Sequence, residues 1–108
     1  MDRKLQSMIG LCKRAGKISA GALAAEQAVK SRKASLLIVS KDASDRTKKD
    51  YRSMCEYRHV PYLECGSMEE LGHAVGDEFH AVLAVTDRGF AEQIRKLSEN
   101  ENIVGSDQ

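Results

Sequence analysis

The residues of this chain able to do chemistry are its lysines, cysteines, histidines and one Gly-Lys pair, and their spacing decides which chemistry is open. Gly16-Lys17 invites comparison with a phosphate-binding loop. That loop needs two glycines four residues apart, then Lys and a hydroxyl side chain, set between a strand and a helix. Here five residues separate Gly10 from Gly16, Ile18 stands where the hydroxyl belongs, and the preceding segment has a helical pattern. The motif is excluded. Cys55 and His59 lie four apart with Cys65 beyond, a spacing compatible with a metal, yet no fourth ligand follows and Cys55 falls on an apolar helix face. Cys12, Cys55 and Cys65 form no Cys-x-x-Cys pair, so they read as small buried hydrophobes in a reducing compartment. His59, His73 and His80 lack a nucleophile motif beside them, and Asp87 reads as a helix cap before it reads as an acid. No enzyme activity, metal or cofactor is expected.

The lysines point elsewhere. The net charge of +1 conceals a dipole along the chain: residues 1–60 carry 14 basic and 6 acidic side chains, the remainder 3 and 10. Such asymmetry favours a polyanion at the basic part, although unequal solvated helix faces would give the same count. Lys17, Lys30 and Lys41 stand at or near the turns of a unit running from Ala15 to Asp42, and Lys48 follows across the neighbouring loop. That unit reads as turn, Ala-rich helix, turn and buried strand.

A chain of 108 residues, 42% apolar and 31% charged, suits one domain, expected over 1–98 with a frayed polar tail over 99–108. No apolar run approaches the roughly 18 residues of a membrane span, and the first residues lack a signal-peptide core. A cytoplasmic location is expected.

The elements that position these residues follow from periodicity. Asp2 caps a helix with Leu5, Met8, Ile9 and Cys12 on one face and Gly16 as its stop. A small strand precedes Gly21, a second helix runs to about Arg32, and Leu36–Ser40 forms a central buried strand. Asp42 or Ser44 opens a third helix with Tyr51, Met54 and Cys55 inward and Lys48, Lys49 and Arg52 outward. Pro61 introduces an edge strand over 62–65. Ser67 and Glu70 form a capping box for a short helix ending at Gly76, Ala81–Val85 is a second apolar strand, and Thr86-Asp87 caps a last helix carrying Phe90, Ile94 and Leu97. Strands alternating with helices imply a three-layer α/β/α sandwich around a small mixed sheet of about four strands.

The segment Gly16-Lys17-Ile18 with Gly21, the strand Leu36-Leu37-Ile38-Val39 leading to Asp42, Val60-Pro61-Tyr62, Leu71-Gly72-x-Ala74-x-Gly76, and Ala84-Val85-Thr86-Asp87-x-Gly89-Phe90-Ala91 together resemble the kink-turn RNA-binding ribosomal proteins of the L-seven-Ae and L-thirty-e type, above all their small bacterial members. The likeness spans residues 5 to about 97. It implies binding of structured RNA, ribosomal RNA among the candidates, with no catalysis and no cofactor. In that family a Gly-x-Asn-Glu motif at the start of the second helix, followed by Lys, holds the RNA. Gly21 matches, whereas Leu23, Ala24 and Gln27 replace Asn, Glu and Lys. The loop after Gly76, the family's second contact, reads Asp77-Glu78-Phe79-His80 and is mostly acidic. The resemblance implies an RNA-contacting set of Lys17, Ser19, Gly21, Ala22, Gln27, Lys30, Lys41, Lys48 and Gly76. Leucine on a helix is usually core, so Leu23 is expected to pack into the sheet, the other reading being contact with an exposed base. The alternative is a protein-interaction module of the same fold that uses Leu23 or the acidic second half.

Overall fold

The computed structural model describes residues 1–106, with side chains through residue 100. Local sequence sets each element. The Asp2 carboxylate caps α1 (Arg3–Arg14) by accepting from the Lys4 amide at 3.4 Å, and Leu5, Ile9 and Cys12 on its inner face are fully buried. Gly16, at φ 75°, turns the chain out of the helix into β1 (Ile18–Ala20); glycine adopts that left-handed conformation without a steric penalty. Then follow α2 (Ala22–Lys30), β2 (Leu36–Val39), α3 (Asp45–Arg58), β3 (Tyr62–Glu64), α4 (Met68–Ala74), β4 (Val82–Val85) and α5 (Arg88–Ser106). Ser44 caps α3 by accepting from the Thr47 amide, and Ser67 and Glu70 form the expected capping box at α4.

The strands make one mixed sheet in the order β1-β4-β2-β3, with β4 antiparallel to both neighbours and β3 parallel to β2. Both inner strands are apolar and buried at all four positions, whereas the three-residue edges are partly exposed. Alternation divides them between two cores. Leu36, Ile38, Leu83 and Val85 pack with Leu5, Ile9, Leu71 and Ile94 under α1, α4 and α5. Leu37, Val39, Val82 and Ala84 pack with Ala25, Ala28, Val29, Tyr51 and Cys55 under α2 and α3. The result is the expected α/β/α sandwich. The small buried face of α2 lets that helix lie close on β4.

One expectation needs correction. Lys48 does not point away from the body of the protein: its side chain is 19% exposed and its Nζ lies 3.7 Å from Glu64 Oε1, whereas Arg52, turned outward as expected and half exposed, donates to Glu64 Oε2 at 2.8 Å. Tyr62 also donates to this carboxylate at 2.9 Å, so the cluster ties α3 to the edge strand. Periodicity places Lys48 and Arg52 off the apolar face but does not reveal a carboxylate waiting on β3. Helix α5 runs on through Ser106. Between Ser98 and Gly105 there is neither glycine nor proline to stop a helix; positions 107 and 108 lie outside the described residues.

Close packing constrains Gly72, where a Cβ would come within 2.5 Å of the Glu78 carbonyl and 2.6 Å of the Phe79 nitrogen. The loop after α4 therefore rests directly on that helix. Gly72→Ala is expected to destabilise the fold by about 1–3 kcal/mol, the usual cost of overpacking a rigid contact; an unchanged urea midpoint would contradict this packing. At Glu64, burial pushes the carboxyl upward, but the hydrogen bonds from Tyr62 and Arg52 and the charge of Lys48 outweigh it and hold the group below the ordinary 4.5. A depressed carboxylate stabilises the fold above its ordinary value and loses that contribution as pH falls through the folded value. Glu64→Gln should lower Tm at neutral pH, with the gap to the parent closing as the pH falls below the ordinary 4.5. A gap of constant size across that range would disprove the linkage.

Candidate nucleic-acid interface

Residue Gly21 is the N-cap of α2 at φ 92° and ψ 164°, and no side chain caps the helix. The first amides of a helix have no intrahelical partner, so an uncapped start offers N–H groups and the positive end of the helix dipole to an anion. Main-chain hydrogen bonds fix what surrounds it. The Gly21 amide donates to the Val82 carbonyl at 3.0 Å, the Ser40 amide to the Ala81 carbonyl at 2.9 Å, and the Lys41 amide to the Gly66 carbonyl at 2.8 Å. The start of α2, the end of β2 and the loop entering β4 thus meet at one end of the sheet. The His80 ring lies 3.9 Å from where a Cβ on Gly21 would stand. It is held by Asp77 Oδ2 at 2.7 Å from its Nε2 and by the His80 amide donating to the Met68 carbonyl.

Along the flank of α2 runs an open cleft of about 580 Å³ whose lining includes Ser19, Ala24, Gln27, Lys30, Lys33 and Thr86. Ser19, Gln27 and Lys30 therefore line one cleft. Lys17 immediately precedes β1, and its carbonyl accepts from the Thr86 amide at 2.9 Å. Lys17 and Lys30 both lie roughly 13 Å from Gly21 by strand and helix rise. The geometry is a strip along α2 rather than a cradle around its start. Lys41 is exposed at the Gly21 end, two strands across from β1.

Other positions behave differently. Lys48 is engaged with Glu64 near the opposite edge of the sheet and does not join the strip. Gly76, exposed at φ 85°, shapes the loop whose far end reaches Gly21. Leu23 does not pack into the sheet: it is 73% exposed. The buried residues of α2 are Ala25, Ala28 and Val29, and Leu23 is two positions from Ala25, about 200° around a helix. That spacing was the signal for exposure. Phe79, just before His80, is also exposed, at 64%, and was not singled out from the sequence as a contact.

The thiols are packing groups. Burial, then the charge of Asp87, pushes Cys12 up to about 11, and burial pushes Cys55 up to about 11. Cys55 lies under α2 and α3, whereas Cys65 lies in the core on the other face of the sheet. Among the described residues no group of three His, Cys, Asp or Glu side chains converges as a metal site.

The profile of the ribosomal protein L7Ae/L30e/S12e/Gadd45 family matches residues 3–95. The RNA-binding protein YlxQ of Bacillus subtilis is 36% identical over 90 residues, covering 83% of this chain and 90% of the relative. The YlxQ of Enterococcus faecium is 33% identical over 97 residues, covering 90% and 93%. Among solved structures, a protein of unknown function from Bacillus halodurans superimposes with a TM-score of 0.84 at 31% identity, over 89% of this chain and 97% of that one. The Giardia lamblia 15.5kD RNA binding protein does so with a TM-score of 0.73 at 25% identity, over 92% of each chain. Matched along almost its whole length in sequence and in the sandwich itself, the chain belongs to the ribosomal protein L7Ae/L30e/S12e/Gadd45 family.

Proposed function

We propose that this protein is a non-catalytic, cytoplasmic RNA-binding protein that holds structured RNA along α2. The observation carrying this reading is the uncapped start of α2 at Gly21 and Ala22, set at the head of a cleft that contains Lys30 and Lys33. Relatives at 36% and 33% identity named as RNA-binding proteins support it. The helix amides take one phosphate, and Lys17, Lys30, Lys33 and Lys41 neutralise others. Phosphate contacts of this kind fix register without reading sequence.

The proposed target is a sharply bent, kink-turn-like RNA, ribosomal RNA foremost. A bend gathers phosphates into the short span of α2, about 13 Å for its nine residues. Bases unstacked at such a bend present flat faces, against which the exposed Leu23 and Phe79 can lie. The amide of Gln27 can both donate and accept at a base edge. Asp77 and Glu78 repel phosphate, so they steer the backbone away from that loop. With Leu23 and Ala24 in place of polar readers, affinity rests mainly on charge.

Titrating a labelled kink-turn RNA and an unbent duplex of equal length over a range of salt tests the proposal. The logarithm of affinity should fall linearly with the logarithm of salt concentration, with tighter binding to the bent RNA. Lys30→Glu combined with Lys41→Glu should weaken binding by roughly tenfold or more and flatten the slope. Absence of binding to either RNA at low salt would refute the proposal, and equal binding to both would remove only the preference for a bend. The exposure of Leu23 and Phe79 also supports a second reading, a protein-docking module. Under that reading Leu23→Ser abolishes co-sedimentation with ribosomes while the double lysine variant does not.

A further inference from the structure

The strip on α2 does not account for the positive charge at the other end of the sheet. There the strands β2 and β3 begin, α2 and α3 end, and α5 starts, as the hydrogen bonds from Ser35 to Val85 and from Leu37 to Pro61 show. Two open clefts of about 670 and 460 Å³ meet at this end and share Arg32, Ala34 and His59. Arg58 and Tyr57 line one, and Arg88 and Arg95 line the other, with Glu92 as the sole carboxylate among the residues lining either. Among the described residues, none of the four arginines pairs with a carboxylate.

Part of this charge has a structural explanation. Cations are favourable where helices end, and Arg32, Arg58 and His59 stand at the ends of α2 and α3. Arg88 does not fit that account, because it is the first residue of α5, where the dipole disfavours a cation, and no acidic residue occupies that turn. Arg95, two turns on, lies beyond the reach of the terminus. After position 60 the chain has only three basic residues, Arg88, Arg95 and Lys96. Two of them line this groove, to which the acidic second half contributes one carboxylate, Glu92.

The aromatic residue beside the groove supplies the second element. Tyr57 is 77% exposed, the largest exposure among the large apolar and aromatic side chains of the described residues, and the Arg58 guanidinium lies 5.3 Å from its ring centroid. An exposed ring carrying a stacked arginine, next to a cationic groove, is the arrangement that binds single-stranded nucleic acid: the groove follows the phosphates and the ring stacks a base. We infer that this end of the molecule is a second nucleic-acid surface, which takes a single strand across Arg32, Arg58, Arg88 and Arg95 with a base on Tyr57. This surface adjoins the α2 strip at the end of that helix, where Arg58 Nη1 donates to the Lys30 carbonyl at 3.4 Å; the inference goes beyond the α2 site because it adds the face formed by Arg88, Arg95 and Tyr57 and a different form of nucleic acid.

Fluorescence anisotropy with a labelled twelve-residue oligouridylate, the matching oligothymidylate and a kink-turn RNA tests it on the full chain. Arg88→Glu combined with Arg95→Glu should weaken oligouridylate binding by about tenfold or more while leaving kink-turn affinity unchanged. Both positions are exposed, and Glu at 88 suits the first turn of α5, so the fold is retained. Tyr57→Ala should weaken it by about fivefold or more. Tighter binding of oligouridylate than oligothymidylate identifies RNA as the ligand, and equal binding identifies single strands of either sugar. Parent-like oligouridylate binding by the arginine pair or by Tyr57→Ala would overturn the inference, as would a parent protein that binds neither oligomer at low salt. Loss of kink-turn binding in the parent, with oligouridylate binding intact, would refute the α2 reading alone.

Discussion

Everything at the candidate RNA site depends on the pairing of β4 in the middle of the sheet. Its antiparallel register with β2, from Leu36 opposite Val85 to Val39 opposite Val82, buries four residues on each strand. Backbone hydrogen bonds shielded from water in this way are costly to leave unmade, so the register is held firmly. That register carries the site. The carbonyl of Val82 receives the Gly21 amide and that of Ala81 receives the Ser40 amide, so the start of α2, the approach to Lys41 and the His80 loop are placed by the strand they share. The loop is supported from below by the close approach of Gly72.

The fold was readable because its signals are local and redundant. Two continuous apolar runs, Leu36–Val39 and Val82–Val85, became the two inner strands, and caps at Asp2, Ser44 and Ser67 fixed helix starts by hydrogen bonds that sequence alone can anticipate. Pro61 before β3 suited an edge strand, and β3 is an edge. The extent of α5 was less legible. A polar tail resembles an unstructured one in composition, while the absence of a breaker before Gly105 permits the helix to continue.

The site was readable only in part, because tertiary pairing decides what a charged side chain is free to do. Lys48 looked like a phosphate contact until β3 brought Glu64 against it, together with Arg52 and Tyr62. Lys17 stands just before β1 and Lys30 at the end of α2, so the strand and the helix carry each of them away from Gly21. Charge in the sequence divides into halves, whereas in space it divides into ends. Arg88 and Arg95 from the acidic half join Arg32 and Arg58 from the basic half in one groove. Leu23 shows the opposite limit: its apolar character suggested burial, yet its angle on α2 points it to solvent.

The central claim is that RNA engages the uncapped start of α2. The most direct test is an amide NMR titration of the labelled protein with a kink-turn RNA. The account predicts that the amide signals of Ala22, Leu23 and Ala24, which have no main-chain partner among the described residues, shift most, with those of Lys41 and His80 following. Saturating RNA that leaves the Ala22–Ala24 amides unmoved would contradict it.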